Sequence, residues 1–392
     1  MGDISTEVTD RISAVGADEW NRLCGEDDPF LEHAFLAALE ASGSVGTRAG
    51  TAPRFVLVRE SGRLVGAVPL YLKNNSYGEF IFDWAWANAA HRGGIPYYPK
   101  LVAAIPFTPA TGRRLLLAPD ADAEGITAAL MDGVRAVTKE ERASSIHFLF
   151  CTEPEATTLA AQGLRPRLSL QFHWHNRPQR PYRDFDDYLG EFKSRHRKQV
   201  RREREVAASH GLTLTTLSGT EMEDRDWTAL QDFYAANAAK HGGIEYLTPA
   251  FFDIIRATYA HRVVATLAYL DGVPVAGTFN FEKGRHIYGR YWGCRAEYPM
   301  LHFELCYHRL IERAIARGCT RFEAGAQGEH KLKRGLVPSF THSAHWIRHP
   351  GLGAAVTEFV AAEAEAVRAQ AAAYADESPF RAAGADAGDP AA

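Results

Sequence analysis

Between Arg321 and Pro338 the chain reads Arg-Phe-Glu-Ala-Gly-Ala-Gln-Gly-Glu-His-Lys-Leu-Lys-Arg-Gly-Leu-Val-Pro. Two carboxylates (Glu323, Glu329), an amide (Gln327), an imidazole (His330) and three cations (Lys331, Lys333, Arg334) stand together there, punctuated by Gly318, Gly325, Gly328 and Gly335. These groups supply the parts of polar catalysis: a carboxylate or imidazole to move a proton, and a cation to stabilise developing negative charge. The glycines allow tight turns and close approach to a ligand, and chemistry concentrates on such loops over a rigid scaffold. Read alone, the stretch also fits a solvated loop.

Other segments carry further candidates. In Tyr288-Gly-Arg-Tyr-Trp-Gly293, strand alternation predicts that Tyr288, Arg290 and Trp292 share one face. An arginine between two aromatics could clamp a carboxylate or phosphate; the aromatics fit a core equally well. His302 and Glu304 stand at a helix start, where they read as a cap or as substrate contacts, and Gln327 is a further candidate contact. Residues 83 to 100 hold two Trp, two Tyr, a His and an Arg, which suits an acceptor pocket built from His91, Arg92, Tyr97 and Lys100 or, equally, a packed seam. His302 and Glu304 fall on different helix faces, and the chain has no helical His-x-x-x-His pair and no cysteine cluster, so no metal site is expected.

Two halves repeat one plan of elements. Helical segments from Asp18 to Ala41 precede a predicted hairpin, Phe55 to Leu72, turning at Ser61-Gly62; a helix over Glu124–Lys139 and a strand over Ile146–Phe150 follow. Helices over Asp224–Lys240 and Pro249–Tyr259 precede a second hairpin, Val263 to Phe281, turning at Asp271-Gly272; a helix over His302–Arg317, stopped by Gly318, and a strand over Thr320–Ala324 follow. Helix, antiparallel hairpin, helix and strand in one mixed sheet is the order of the GNAT-type acyltransferase fold. The expected class is therefore α/β with mixed sheets, as two tandem GNAT-like units side by side; one large α/β domain with a chance repeat is the alternative. The expected divisions are 1–171 for the first unit, 172–211 for a linker with a basic helix, 212–350 for the second unit, 351–375 for a C-terminal helix and 376–392 for a disordered tail.

The basic helix carries Lys193, Arg195, Arg197, Lys198, Arg201, Arg202 and Arg204 against one acid, Glu203. Phe192, His196, Val200, Glu203 and Ala207 form its narrow inward face. A charge run is commonly a solvated face. As a functional element it suits phosphate contact through released counterions, and without interleaved aromatics it suggests backbone docking, not base stacking.

Phe192-Lys-Ser-Arg-His-Arg-Lys-Gln-Val-Arg-Arg-Glu-Arg204 is similar to the leucine-serine-lysine-x-x-arginine basic helix of the Fem-like peptidyltransferases. His330-Lys-Leu-Lys-Arg-Gly-Leu336 resembles that family's phenylalanine-lysine-x-x-phenylalanine-glycine element, with Arg334 in place of the closing aromatic. Asn280, Tyr288–Cys294, Leu301–Tyr307 and Phe322–Lys331 further resemble the Fem-like peptidoglycan biosynthesis/recognition proteins, over nearly the whole span from Pro29 to Pro350. The resemblance implies transfer of an amino acid from aminoacyl-tRNA to an amine, with tRNA and an amine-bearing peptide, cell-wall precursor or small molecule as partners and no further cofactor. Lys331 is the first candidate for the oxyanion and Lys333 the second. Glu323, Glu329 or His330 could take the amine proton, although Glu323 also reads as a strand-end partner of Arg321. The seven cations of the helix become candidate tRNA contacts.

Composition bounds the rest. The 392 residues suffice for two cores, with 46% hydrophobic and 23% charged residues. A net charge of −4 excludes a globally basic coat, though not a local patch. Five scattered cysteines fit a reducing cytoplasm; charged residues break up the first twenty, and no apolar run spans a membrane. A cytoplasmic location is expected. An acyl-CoA-dependent GNAT N-acyltransferase is the alternative enzyme, against which stands the lack of a glycine in Arg295–Leu301, before the helix where a pyrophosphate loop belongs. A non-catalytic peptide- or cell-wall-binding module is the third reading.

Overall fold

A computed structural model describes residues 3–240, 242–326 and 328–381. The chain divides into two units: Met1–Leu170 with Glu245–Tyr259 and Phe340–Arg368, and Gln171–Ile244 with Ala260–Ser339 and Ala369–Ala392. Both combine helices with mixed β-sheet, the GNAT-like α/β arrangement expected.

In the first unit Phe55–Glu60 and Arg63–Val68 form an antiparallel hairpin, flanked by Ile4–Thr9 on one side and Leu116–Leu117 on the other. Ser61 and Gly62 both take positive φ, as a tight two-residue turn requires. Helix Ala123–Glu140 packs so closely on this sheet that a Cβ on Gly66 would lie 2.5 Å from Ile126. The predicted second strand of the hairpin is split, because Pro69 lacks the N–H needed to continue the ladder. Leu70–Lys73 belongs instead to a second sheet, between Thr51–Pro53 and Lys100–Ala103. Lys100–Ala103 runs parallel to Ser145–Cys151.

The second unit repeats the plan in fuller form. Thr213–Ser218, Val263–Leu270, Val273–Lys283 and His286–Cys294 are successive antiparallel neighbours; Arg321–Glu323 then joins in parallel, and the end of Arg165–His175 pairs beyond it. Phe322, Ile287, Leu310 and Ile311 form a core with Trp174, Tyr188, Phe192 and Val200.

Several expected boundaries change. Residues 245–259 and 340–368 belong to the first unit, since Phe251 packs on Phe35 and His345 pairs with His147 across antiparallel strands. Residues 172–211 are not a linker: their aromatics fill the second unit's core. Of the expected disordered tail, residues 377–381 are ordered: Phe380 packs edge-on against Phe192 at 4.9 Å, and the Lys193 N–H donates to Pro379 O at 2.8 Å. The rest of that tail lies outside the described residues.

Candidate active site

The parallel pairing with Arg321–Glu323 runs over His286–Tyr288 and ends there, because the second strand ends at Glu323. A cleft of about 390 Å³ lies beyond the end of this pairing. Its walls come from the strands (Thr278, Asn280, Gly289, Arg290, Tyr291, Trp292), from the following helix (His302, Cys306, Tyr307) and from the glycine-rich loop (Ala324, Ala326, Gly328, His330, Lys331).

Two irregularities shape it. Asn280 opposes Gly289 and Phe279 opposes Tyr291, so Arg290 is the extra residue of a β-bulge. Directly opposed residues share a face. Tyr288, opposite Phe281, therefore lies with Tyr291 on the face away from Trp292, which opposes Thr278. The expected common face of Tyr288, Arg290 and Trp292 is broken by this bulge, and Tyr288 is buried. The helix, Leu301–Phe303 continuing to Arg309–Ala316, widens into a π-turn at Glu304–His308, a feature that recurs at functional sites. The wider turn brings Tyr307 to 5.6 Å of His302, five residues earlier.

The loop closes on Gly335, whose φ is +81°; a Cβ there would fall 1.9 Å from Tyr188 Oη. Between Gly328 and Gly335, Glu329–Arg334 forms a 3₁₀ turn that sorts its cations. Lys331 is only 2% exposed and its Nζ donates to Gly325 O at 2.9 Å and Ala326 O at 3.4 Å. Burial pushes its pKa down to about 8. Lys333 is exposed and does not line the cleft. Arg334, in the position where the resemblance implied an aromatic, is buried: Nη2 and Nε donate to Glu203 at 2.7 and 3.0 Å, Nη1 donates to His330 O at 2.6 Å, and the guanidinium lies 3.3 Å above the Phe303 ring. Glu203 comes from the inward face of helix Ser194–Ala208, so this pair ties the loop to the helix.

His330 lines the cleft, with Nε2 2.9 Å from Tyr307 Oη. Burial, then Arg334 and Lys331, holds its pKa below the ordinary value. His302 packs edge-on to Trp292 at 5.2 Å, and its pKa falls to about 4, through burial first and then His330. Both imidazoles are therefore neutral at pH 7. The other candidates sit elsewhere. Glu323 is buried, with Arg321 Nη2 at 3.1 Å, the strand-end pairing described above. Glu329 accepts from Tyr374 Oη. Glu304 is buried and accepts both Nε and Nη2 of Arg204 at 3.1 Å. Gln327 lies outside the described residues. Tyr307, Cys306 and Asn280 join the cleft without having been singled out as site residues. A spacing of five between His302 and Tyr307 is no signal without the π-turn.

The four acceptor candidates of the first unit do not converge. Lys100 is fully buried, its Nζ donating to Ser76, Glu79 and Asp83, and Tyr97 Oη donates to Asp83 at 2.7 Å. Their donors are consumed internally, whereas His91 and Arg92 are exposed at the end of helix Trp84–Arg92.

The basic helix divides as well. Arg204 is held by Glu304 and Glu312, and Lys193 Nζ donates to Ser378 O at 2.8 Å. Arg201 has Asp186 at 3.8 Å. Arg195, Arg197, Lys198 and Arg202 have no partner among the described residues, and all but the half-buried Arg197 are exposed.

The family model for FemAB-like proteins of peptidoglycan biosynthesis/recognition matches residues 11–382. The chain belongs to this FemAB-like family. Comparison with curated protein sequences gives no match. Among solved structures, the FemAB-like chain is similar to FemX (13% identity, TM-score 0.52, covering 88% of this chain and 97% of that one). It is also similar to the C-terminal DUF2156 domain of a lysylphosphatidylglycerol synthetase-type protein of Agrobacterium fabrum (12%, 0.52, 87% and 93%). A conserved protein of unknown function from Bacteroides thetaiotaomicron is a third such structure (9%, 0.51, 87% and 99%). At these identities the likeness is one of fold. Family and fold together make this FemAB-like protein an acyl- or aminoacyltransferase in general. Among its described residues no helix is long and apolar enough to cross a membrane, and no three His, Cys, Asp or Glu side chains could together hold a metal ion.

Proposed function

We propose that the protein moves an amino acid from aminoacyl-tRNA to an amine acceptor, forming an amide at the cleft of the second unit. The observation that carries this reading is Lys331: a buried ammonium held by two carbonyls in the lining of the cleft. The acceptor nitrogen attacks the ester carbonyl carbon, the C–N bond forms, and charge collects on the carbonyl oxygen beside Lys331 Nζ. His330, neutral and hydrogen-bonded to Tyr307, takes the amine proton and returns it to the departing ribose oxygen as the C–O bond breaks. No covalent enzyme intermediate is needed, and holding both substrates supplies much of the remaining acceleration. The unpartnered cations of helix Ser194–Ala208 are the proposed tRNA-backbone contacts.

The test incubates the protein with charged total tRNA or, separately, acetyl-CoA, each with a panel of amines. Acceptor-dependent deacylation abolished by ribonuclease is the expected result. Turnover with acetyl-CoA alone would instead establish the acyl-CoA reading, and no turnover with either would favour a binding module.

A further inference from the structure

From Asn74 to Pro99 the first unit carries only two acids, Glu79 and Asp83, and both are buried. Lys100 Nζ donates to each of them, and Lys73 Nζ donates to Tyr77 O at 2.7 Å. Buried ion pairs add little net stability, so this network is better explained by what it holds in place. It pins the loop from inside while Tyr77, Phe82 and Trp84 stand outside, 50%, 49% and 38% exposed. Tyr77 and Trp84 meet edge-on at 5.1 Å. Phe82 is braced through its carbonyl, which accepts from Arg167 Nη1 at 2.9 Å, and Glu363 holds that guanidinium at 2.6 and 2.9 Å. Large aromatics kept in solvent on a fixed frame mark a contact surface.

Helix Trp84–Arg92 continues this surface. Trp84, Asn88, His91 and Arg92 are exposed at helical spacing, on one outward face. Trp86 and Ala90 turn inward onto Val356 and Val360 of helix Pro350–Asp376. On that second helix Phe359 is exposed, with its ring 6.3 Å from Trp86. Glu358 stands two residues from each valine and so lies on the far side. The patch combines aromatics with basic groups, and the segment that builds it exposes no acid.

We propose that this face docks the protein on the surface of an anionic lipid bilayer. Trp and Tyr side chains, apolar with one polar tip, settle at the level of the headgroups. Phe82 and Phe359 supply apolar area, and His91 and Arg92 meet the lipid phosphates. A second copy of the chain fits the patch poorly, since it would set the same basic groups against each other. The docking does not depend on the transfer reaction.

The full chain is sedimented with vesicles of phosphatidylcholine, alone or mixed with an equal amount of phosphatidylglycerol. Binding should favour the mixed vesicles and weaken as salt is added. The cations of helix Ser194–Ala208 also attract such vesicles, so the deciding variants leave that helix intact. Phe82→Ser with Trp84→Ser should weaken partition about 10-fold or more at unchanged Tm. Arg92→Glu should weaken it on the mixed vesicles and little on phosphatidylcholine alone. Should the double variant lose stability, quenching by brominated acyl chains decides on the folded protein. Wild-type tryptophan fluorescence should be quenched, chiefly at Trp84, the most exposed of the seven, and Trp84→Phe should remove most of the effect. Binding without quenching, binding that a folded double variant retains in full, or no binding to either vesicle overturns the proposal. A wild-type dimer seen by ultracentrifugation without vesicles, and dispersed by the double variant, assigns the patch to a second copy and also overturns it.

Discussion

Lys331 and His330 are adjacent in sequence and opposite in proton demand. Burial pushes the Lys331 ammonium down to about 8, so its charge is present below that pH and lost above it. His330 is held below its ordinary value, so its basic form is gained as pH rises through the acid range. The pH profile of kcat/KM for acceptor-dependent deacylation should therefore be bell-shaped, with the alkaline limb near 8 and the acid limb below the usual histidine range. Lys331→Arg should abolish the alkaline limb, because a guanidinium keeps its proton there; a limb that persists would assign it to another group. Lys331→Gln should cost roughly 100-fold to 1,000-fold in kcat, measured by single-turnover deacylation, with little change in Tm.

At the scale of elements, helix Ser194–Ala208 has two faces with different work. Reversing Arg195, Lys198 and Arg202 to Glu should raise KM for charged tRNA at unchanged Tm, and each lost cation should flatten the log–log salt dependence by about one. An unaltered KM would remove the docking role. Arg204→Glu should instead lower Tm, since it sets a carboxylate against Glu304 and Glu312. On the inward face, burial pushes Glu203 up, but hydrogen bonds from His308 and Gln199 and the charge of Arg334 outweigh it and hold its carboxyl below the usual range. The pair's contribution is thus present above the ordinary carboxylate pKa and lost as pH falls through the lower folded value. Arg334→Met strands a buried carboxylate and should cost about 3–5 kcal/mol in urea unfolding. It should also lower kcat by releasing His330. Adding Glu203→Gln should recover much of the stability but not the kcat; recovery of both would make the pair purely structural.

At the scale of the whole molecule, the first unit is assembled from three separate segments. Residues 1–171, the contiguous piece that the repeat in the sequence suggests, lack Phe251 against Phe35, Tyr259 bonded to Pro29, and the strand that sets His345 opposite His147. That fragment should show no cooperative thermal transition and no native near-ultraviolet dichroism, where the full chain shows both. A cooperatively folding fragment would mean those later segments are dispensable.

Local pattern by itself determined the elements. The turns at Ser61-Gly62 and Asp271-Gly272, helices such as Asp224–Lys240 and the amphipathic basic helix follow from short-range sterics and periodicity, and the repeat of this order was enough for a tandem GNAT-like fold. It also located the loop and the strand Tyr288–Gly293, because glycines and clustered polar groups are local features. Tertiary structure decided which of those groups meet. Lys331 and Lys333 are two residues apart, yet the 3₁₀ turn, pinned by Arg334 on Glu203 131 residues earlier, buries one and exposes the other. The β-bulge at Arg290 and the π-turn before Arg309 each shift a register by one residue, which periodicity does not encode, and so turn Tyr288 away from the cleft and Tyr307 into it. Lys100 and Tyr97, promising by composition, are spent on Asp83, since a buried charge must find its counter-ion wherever packing puts one.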